Sequence, residues 1–440
     1  LTYRPVTDEE KPAVIAALSL GFGIPDDAKA RAERTPTDQL RVIEDGGQFA
    51  SVLRVSTMPQ YWLGQPVPSA QVLWLATSLE QRARGHGQAL LKGLFEELRE
   101  AGIPTVTLQP STANFYRGPG FEFAGAWNLY EVSCEQVPPL DPAYRARRLD
   151  ADDLEPIIEL YERIAPSRHG AFVRDDPWWR QRLGRTSPPE SQPTTNLLVE
   201  TPDEPVGWMM LAFSTDTDHR NSPTRIRVQV QDWGCLPGHD LALLGVLAGY
   251  RSMEGVVNWS GPDPDPLLFL LPNESLRLYR RRHWMLRLVD LAGAFGARPY
   301  PREAQGRVVL RVEDVTCPWN TGTWALEVAG GHGKLSRVSD PSTGGGTGGT
   351  GGTGGTASTG GTGGGTDAEP TGGGPTGGDS GSGSRGPVVA SVRGLAALFT
   401  GFAGPDELAN AGLLQRMEAS DRALLRAAFA APAPFTAELY

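Results

Sequence analysis

Residues 72–98, VLWLATSLEQRARGHGQALLKGLFEEL, constrain this chain more than any other stretch. Residues 72–77 are apolar almost throughout, the pattern of a strand covered on both faces. After Gly87, the residues Leu90, Leu91, Leu94, Phe95 and Leu98 recur at helical spacing and predict an amphipathic helix. Between strand and helix lies a turn with the pattern Arg82-x-x-Gly85-x-Gly87. A helix start offers unpaired N–H groups and the positive end of the helix dipole. Glycine lets the backbone wrap closely around an anion. The turn is therefore read as a seat for a pyrophosphate. The pattern is unspecific alone; its position directly after a buried strand gives it weight.

Composition narrows the alternatives. The chain has 440 residues, enough for about two to three domains. A net charge of −10 argues against a general nucleic-acid binder and suits cationic substrates. Cys134, Cys235 and Cys317 lie far apart and no histidines stand in HExxH spacing, so neither a metal site nor a disulfide framework is expected. No apolar run reaches membrane-spanning length and no signal peptide is recognisable, so a cytoplasmic protein is expected.

Taken in order, residues 2–6 suit a strand, and a helix follows from Asp8 until Gly21-Phe22-Gly23. Residues 40–44 and 48–58 alternate around Gly46-Gly47, a hairpin signal. The helix after Gly87 stops at Gly102 and Pro104. Residues 105–109 suit a strand, 111–116 the start of a short helix, and 121–123 and 127–132 two further strands. Pro138-Pro139 marks a boundary. From Tyr144 to Phe295 the same coarse order repeats: strand 145–149, helix 151–164, hairpin 197–213, strand 226–233, helix 241–253. Here Leu236-Pro237-Gly238 stands where the arginine turn should be, so the second unit reads as a repeat that lost its cofactor. From Gly296 a third unit has strands at 308–315, 323–329 and 334–338, a strand-to-helix pattern at 388–402 and helices at 406–411 and 420–430. A Gly/Thr/Ser tract at 342–384 is expected to be a flexible insertion within it.

The order strand, helix, hairpin, strand, RxxGxG turn, helix, strand, short helix with a tyrosine resembles the GCN5-related N-acetyltransferases (GNAT). The whole chain is similar to their enhanced intracellular survival (Eis) subfamily, most specifically at residues 72–88, 111–121 and 308–324. The resemblance implies an α+β fold with mixed sheets: a catalytic GNAT domain at 1–142, a degenerate one at 143–295 and a sterol-carrier-protein-like domain at 296–440 with its insertion at 341–386. It further implies acetyl-CoA as co-substrate, a homohexamer, and aminoglycoside-like polyamines or lysine side chains as acetyl acceptors.

Carried over by position, Leu75, Ala76 and Thr77 would hold pantetheine through their backbone. Arg82, Ala83, Arg84, Gly85, His86, Gly87 and Gln88 would hold the pyrophosphate, and Ser111 and Thr112 would flank the thioester arm. Tyr116 matches the family's general acid, although Arg117-Gly118-Pro119-Gly120 departs from the usual Gly-Arg-Phe-Gly after the tyrosine. With a thiol pKa of about 8.5 and a tyrosine pKa of about 10, such a tyrosine is a competent donor to the leaving thiolate. The carboxylate of Tyr440 would be the base, through a water because of its low basicity. Asp26, Asp27 and Glu438 are candidates for meeting a cationic substrate. Trp62, Trp178, Trp179 and Trp208 are expected in the core or at an interface rather than as substrate platforms. A different class of function, a lipid-binding or scaffolding protein with a relic acetyltransferase domain, is what the third unit alone would suit.

Overall fold

A computed structural model describes residues 1–22, 35–183, 194–215, 225–339 and 386–438. Asp26, Asp27, Tyr440 and the 342–384 tract lie outside the described residues. The first region runs β1 (Thr2–Pro5), α1 (Lys11–Phe22), β2 (Leu40–Asp45), β3 (Gln48–Thr57), β4 (Gln60–Trp62), β5 (Gln65–Val67), β6 (Ser69–Thr77), α2 (His86–Glu100), β7 (Thr105–Leu108), α3 (Ala113–Arg117) and β8 (Glu122–Ser133). The hairpin between β2 and β3 turns at Gly46 and Gly47, both with positive φ, as their spacing predicts. In α2 the five spaced apolar residues are all buried, and Gly102 at φ 70° closes the helix.

The second region holds β9 (Arg145–Arg148), α4 (Leu154–Ile164), α5 (Asp176–Leu183), β10 (Thr194–Glu200), β11 (Pro205–Thr215), β12 (Ile226–Cys235), α6 (Asp240–Leu247), β13 (Val256–Gly261), α7 (Leu267–Leu270) and β14 (Arg277–Leu288). The third holds α8 (Leu291–Ala297), β15 (Gly306–Glu313), β16 (Gly322–Ala329), β17 (His332–Arg337), β18 (Val388–Ser391), α9 (Val392–Phe399), α10 (Pro405–Asn410), β19 (Leu414–Gln415) and α11 (Ala419–Ala428).

The first two regions share one sheet, in the order β1-β2-β3-β6-β7-β14-β8-β13-β12-β11-β10-β9. β14, from the end of the second region, is inserted between β7 and β8 of the first. β8 in turn pairs with β13 of the second region. The expected pair of strands at 121–123 and 127–132 is one strand, β8, whose pairing with β14 slips at Ala124. That bulge explains the break in its sequence pattern.

The third region carries its own sheet, β17-β16-β15-β18-β19, and covers one face of the large one. Trp284, Leu286 and Leu288 of β14 and Trp62 of β4 join Leu395 and Phe399 of α9 in one apolar core. The segment at 314–320 clasps the first two regions. Asp314 takes both its oxygens to Arg287 of β14 at 2.6 and 2.7 Å. Asn320 donates to Val289 O at 3.1 Å, and the Trp319 indole donates to the same carbonyl at 2.7 Å. Arg99, in the last turn of α2, lies 4.7 Å from the Trp319 ring.

Candidate functional site

The site begins where two parallel strands separate. β6 pairs with β7 from Ser69↔Thr105 to Val72↔Leu108 and no further. On its other side β6 stays paired with β3 as far as Thr77. The register of that second ladder slips at Leu73, a bulge that turns β6 away from β7. One edge of residues 73–77 therefore has no strand beside it among the described residues. Its backbone groups need partners from whatever enters the gap.

The chain then turns into α2. Ala83 and Gly85 both adopt left-handed backbone conformations, with φ 61° and 82°. A residue in this region reverses the direction of successive N–H groups and helps form an anion-binding concavity. Nothing stands within 4 Å of where a Cβ on Gly85 would lie, so the loop is open to an approaching ligand. Arg82 and Arg84 are exposed at its rim; Arg82 donates to Thr77 O at 3.3 Å and Arg84 to Gln81 Oε1 at 3.2 Å. The ring of His86 is buried, 3.7 Å from Asp45, so His86 faces the β2–β3 turn and can offer a ligand only its backbone N–H.

Gly87 is the point where the pieces meet. A Cβ there would stand 2.9 Å from the Phe115 ring and 3.5 Å from Leu75. The missing side chain lets α3 pack against the start of α2 and the end of β6. Phe115 brings Tyr116 with it. Tyr116 is buried, edge-on to Phe115 and Phe121 at 4.9 and 5.8 Å between ring centres. Burial pushes its hydroxyl up to about 12. Behind α3, Glu122 is buried and accepts from Arg117, the residue after Tyr116, at 2.9 Å. It also accepts from Arg393 of α9 at 2.8 Å. Burial works to raise the Glu122 carboxyl, and the two arginines outweigh it, leaving it lowered. This pair of arginines ties the tyrosine-bearing helix to the third region, and sequence reading did not single it out. Ser111 and Thr112 are exposed just before α3.

A strand gap, a left-handed turn at a helix start and an adjacent tyrosine make one constellation, and known proteins share its frame. Residues 2–124 and residues 170–288 each match an Acetyltransferase (GNAT) domain family, and residues 291–351 match the Sterol carrier protein domain. Together the two acetyltransferase matches span more than half of the chain. An uncharacterized N-acetyltransferase of Streptomyces avermitilis is 28% identical over 63% of this chain and 69% of its own. The N-acetyltransferase Eis of Mycobacterium bovis is 23% identical over 76% of this chain and 84% of its own. A GCN5-related N-acetyltransferase from Anabaena variabilis superposes with a TM-score of 0.82 at 23% identity, covering 100% of both chains. This chain belongs to the GNAT acetyltransferases and is Eis-like.

Acetyl-CoA is accordingly the co-substrate of this Eis-like enzyme. The residues fit it: an extended arm can add to the free edge of β6, and a pyrophosphate can meet the N–H groups of the turn before α2.

The second GNAT unit keeps the frame and closes the gap. β12 pairs in parallel with β13 only as far as Gln229↔Asn258, and its ladder with β11 then slips at Gln231. This repeats the bulge of β6. Trp233 then reaches across the opening, its indole donating to Ser260 O at 2.8 Å. Arg168 lies 5.0 Å from the Trp233 ring and donates to its carbonyl at 3.2 Å. The equivalent of the arginine turn is the short Leu236–His239 link, where Gly238 has the only positive φ. Trp233 and Arg168 thus stand at the opening of the second sheet.

The tail after α11 comes back into this junction. Ala126 of β8 donates to Pro434 O at 3.2 Å, and Phe435 donates to His169 O at 2.9 Å. Glu438, expected to meet a cationic substrate, is engaged within the chain. One oxygen accepts from Arg174 at 2.9 Å and the other from Thr436 at 2.7 Å. Trp62, Trp179 and Trp208 are fully buried, as expected, while Trp178 is half-buried with its ring 4.0 Å from the Arg174 guanidinium.

Proposed function

We propose that this enzyme moves acetyl from acetyl-CoA to primary amines, lysine side chains and aminoglycoside-like polyamines being the acceptors to screen first. A neutral amine attacks the thioester carbonyl; the carbon–sulfur bond breaks, and Tyr116 passes its proton to the departing thiolate. The proton released by the new amide goes to a base, for which the reading takes the carboxylate of Tyr440 acting through water. Free N–H groups on the edge of β6 stabilise the carbonyl oxygen as it gains charge.

The observation that carries this reading is the convergence at Gly87. There the end of the opened strand, the start of the anion-binding helix and the helix bearing Tyr116 touch one another. A tyrosine held protonated to about 12 stays an acid at working pH. The approach of residues 434 and 435 to β8, in the sheet that carries the gap, supports a role for the tail.

Calorimetry with acetyl-CoA, followed by turnover of Tyr116→Phe, tests the reading. Binding of acetyl-CoA by both proteins with turnover only in the parent is the expected result. No heat with acetyl-CoA, together with saturable binding of a fatty-acyl probe, would instead select the lipid-carrier function. Extending the chain beyond Tyr440 addresses the base separately: normal turnover of the extended protein removes Tyr440 from the mechanism.

A further inference from the structure

The second GNAT unit has lost its cofactor turn, yet it contains a nearly fully buried charge cluster. Arg174 lies between α4 and α5 with 2% of its side chain exposed. Two of its nitrogens grip Asp232 of β12 at 2.8 and 3.0 Å, and Asp232 is equally buried. Three rings surround the guanidinium, Trp178, Tyr161 and Trp179, at 4.0, 4.2 and 4.8 Å. Asp232 also accepts from the Trp208 indole at 3.1 Å. Burial works against both charges, and their mutual attraction overcomes it, so Asp232 is lowered and Arg174 raised.

One carboxylate would suffice to neutralise this arginine. The second, Glu438, arrives from 264 residues away, at the end of the described tail. Through Arg174 it is linked to Asp232, on the part of β12 that lies beyond its last pair with β13, Gln229↔Asn258. In the first unit the equivalent opening is the cofactor gap. Beside it, the tail is bonded to β8 on one side and to residue 169 on the other. Gly170, at φ 98°, allows this approach: a Cβ there would stand 3.1 Å from Phe435 O. His169 ties the same segment to the third region by donating from Nε2 to Thr400 O at 2.9 Å, since Nδ1 accepts from the Leu63 N–H at 3.2 Å.

We infer that the second unit's divided sheet has become the receptor for the chain's own C-terminal tail, and that Arg174 is a positioning residue for acetyl transfer, acting through Glu438. The inference rests on the proposed part of the tail in the reaction. Arg174 touches neither co-substrate nor acceptor in this scheme. It sets the line along which the tail approaches the first unit.

Glu438→Gln is the informative variant, because it removes the charge without shortening the tail or disturbing Asp232. Two readouts are taken together: hydrogen exchange of the C-terminal peptide, which reports the Phe435 amide, and kcat and KM for acetyl-CoA and for an amine acceptor. The expected result is faster exchange, with kcat lower by about ten- to a hundredfold and KM for acetyl-CoA unchanged. Arg174→Lys, which keeps the charge but loses the fork, should repeat the pattern. Faster exchange with unchanged kcat overturns the inference, because the hold would then be idle. Lower kcat with unchanged exchange also overturns it, because Glu438 would be acting on the acceptor directly. If the chain extended beyond Tyr440 is inactive while Glu438→Gln works normally, the positioning role falls and the terminal base stands. If the extended chain works while Glu438→Gln is loosened and slow, the terminal base falls and the positioning role stands.

Discussion

At the scale of single residues, burial sets the protonation of Tyr116 and His169. Tyr116 is held near 12, so it keeps its proton across the working range. The pH–rate profile should show no descending limb between about pH 7 and 10 from loss of the acid. Tyr116→Phe should lower kcat by about a hundredfold or more at all these pH values, with the Kd for acetyl-CoA nearly unchanged; stopped-flow thiol release measures both. His169 behaves oppositely. Burial lowers it from 6.5 to about 4. The unfolded chain therefore binds the extra proton within that window, and stability drops as pH falls through it. The loss is on the order of 3 kcal/mol by pH 4. Asp265, pushed up to about 6 by burial, works in the other direction over nearly the same range. The parent's curve thus shows only the difference, and a variant is needed to separate them. His169→Gln should be less stable than the parent at pH 7, and urea unfolding should find the gap narrowing towards pH 4. A gap of constant size would assign His169 an ordinary pKa.

At the scale of elements, the strand–turn–helix of the cofactor site was legible because everything that defines it is local. The spacing of Leu90, Leu91, Leu94, Phe95 and Leu98, the glycines before them and the apolar run at 72–77 lie within one stretch of chain. The gap was not legible, because it depends on where β7 stops pairing with β6. Among the strands that escaped sequence reading are β13 and β14 of the large sheet. β14 hides because Arg280, Arg281 and Arg282 mask the alternation that Trp284, Leu286 and Leu288 carry on one face. Arg174 gave no signal, since its partners at 232 and 438 are remote in sequence. Gly85 and Gly87 were legible as glycines needed near an anion, but Gly87 turns out to serve the packing of Phe115. The two should differ on substitution. Gly85→Val puts a β-branched residue at φ 82° and should cost about 1–3 kcal/mol in stability as well as weakening acetyl-CoA binding. Gly87→Ala needs only a small shift of the Phe115 ring and should reduce kcat more than it reduces binding, because Tyr116 moves with its neighbour. Parallel calorimetry and steady-state kinetics would distinguish them, and equal losses in both variants would contradict the assignment.

At the scale of the whole molecule, the three regions are held by buried polar clasps as well as by apolar surface. Arg287 and Asp314 are both almost wholly inside, and they join the shared sheet to the third region. Asp314→Ala leaves an unpaired buried guanidinium and should destabilise by about 3–5 kcal/mol, read as a lower midpoint in chemical denaturation. A loss under about 1 kcal/mol would mean that water replaces the carboxylate. The shared sheet also has a consequence for how the protein is made. β7 and β8 leave the ribosome early, but the strand that belongs between them, β14, is encoded well over a hundred residues later. At 5–20 residues per second, the first region waits roughly ten to thirty seconds with three unsatisfied strand edges, one on β7 and two on β8. Such edges invite pairing with other nascent chains. Synthesis of this acetyltransferase should therefore depend on chaperone occupancy of its first 140 or so residues, and those residues expressed alone should aggregate through the edges that β14 covers.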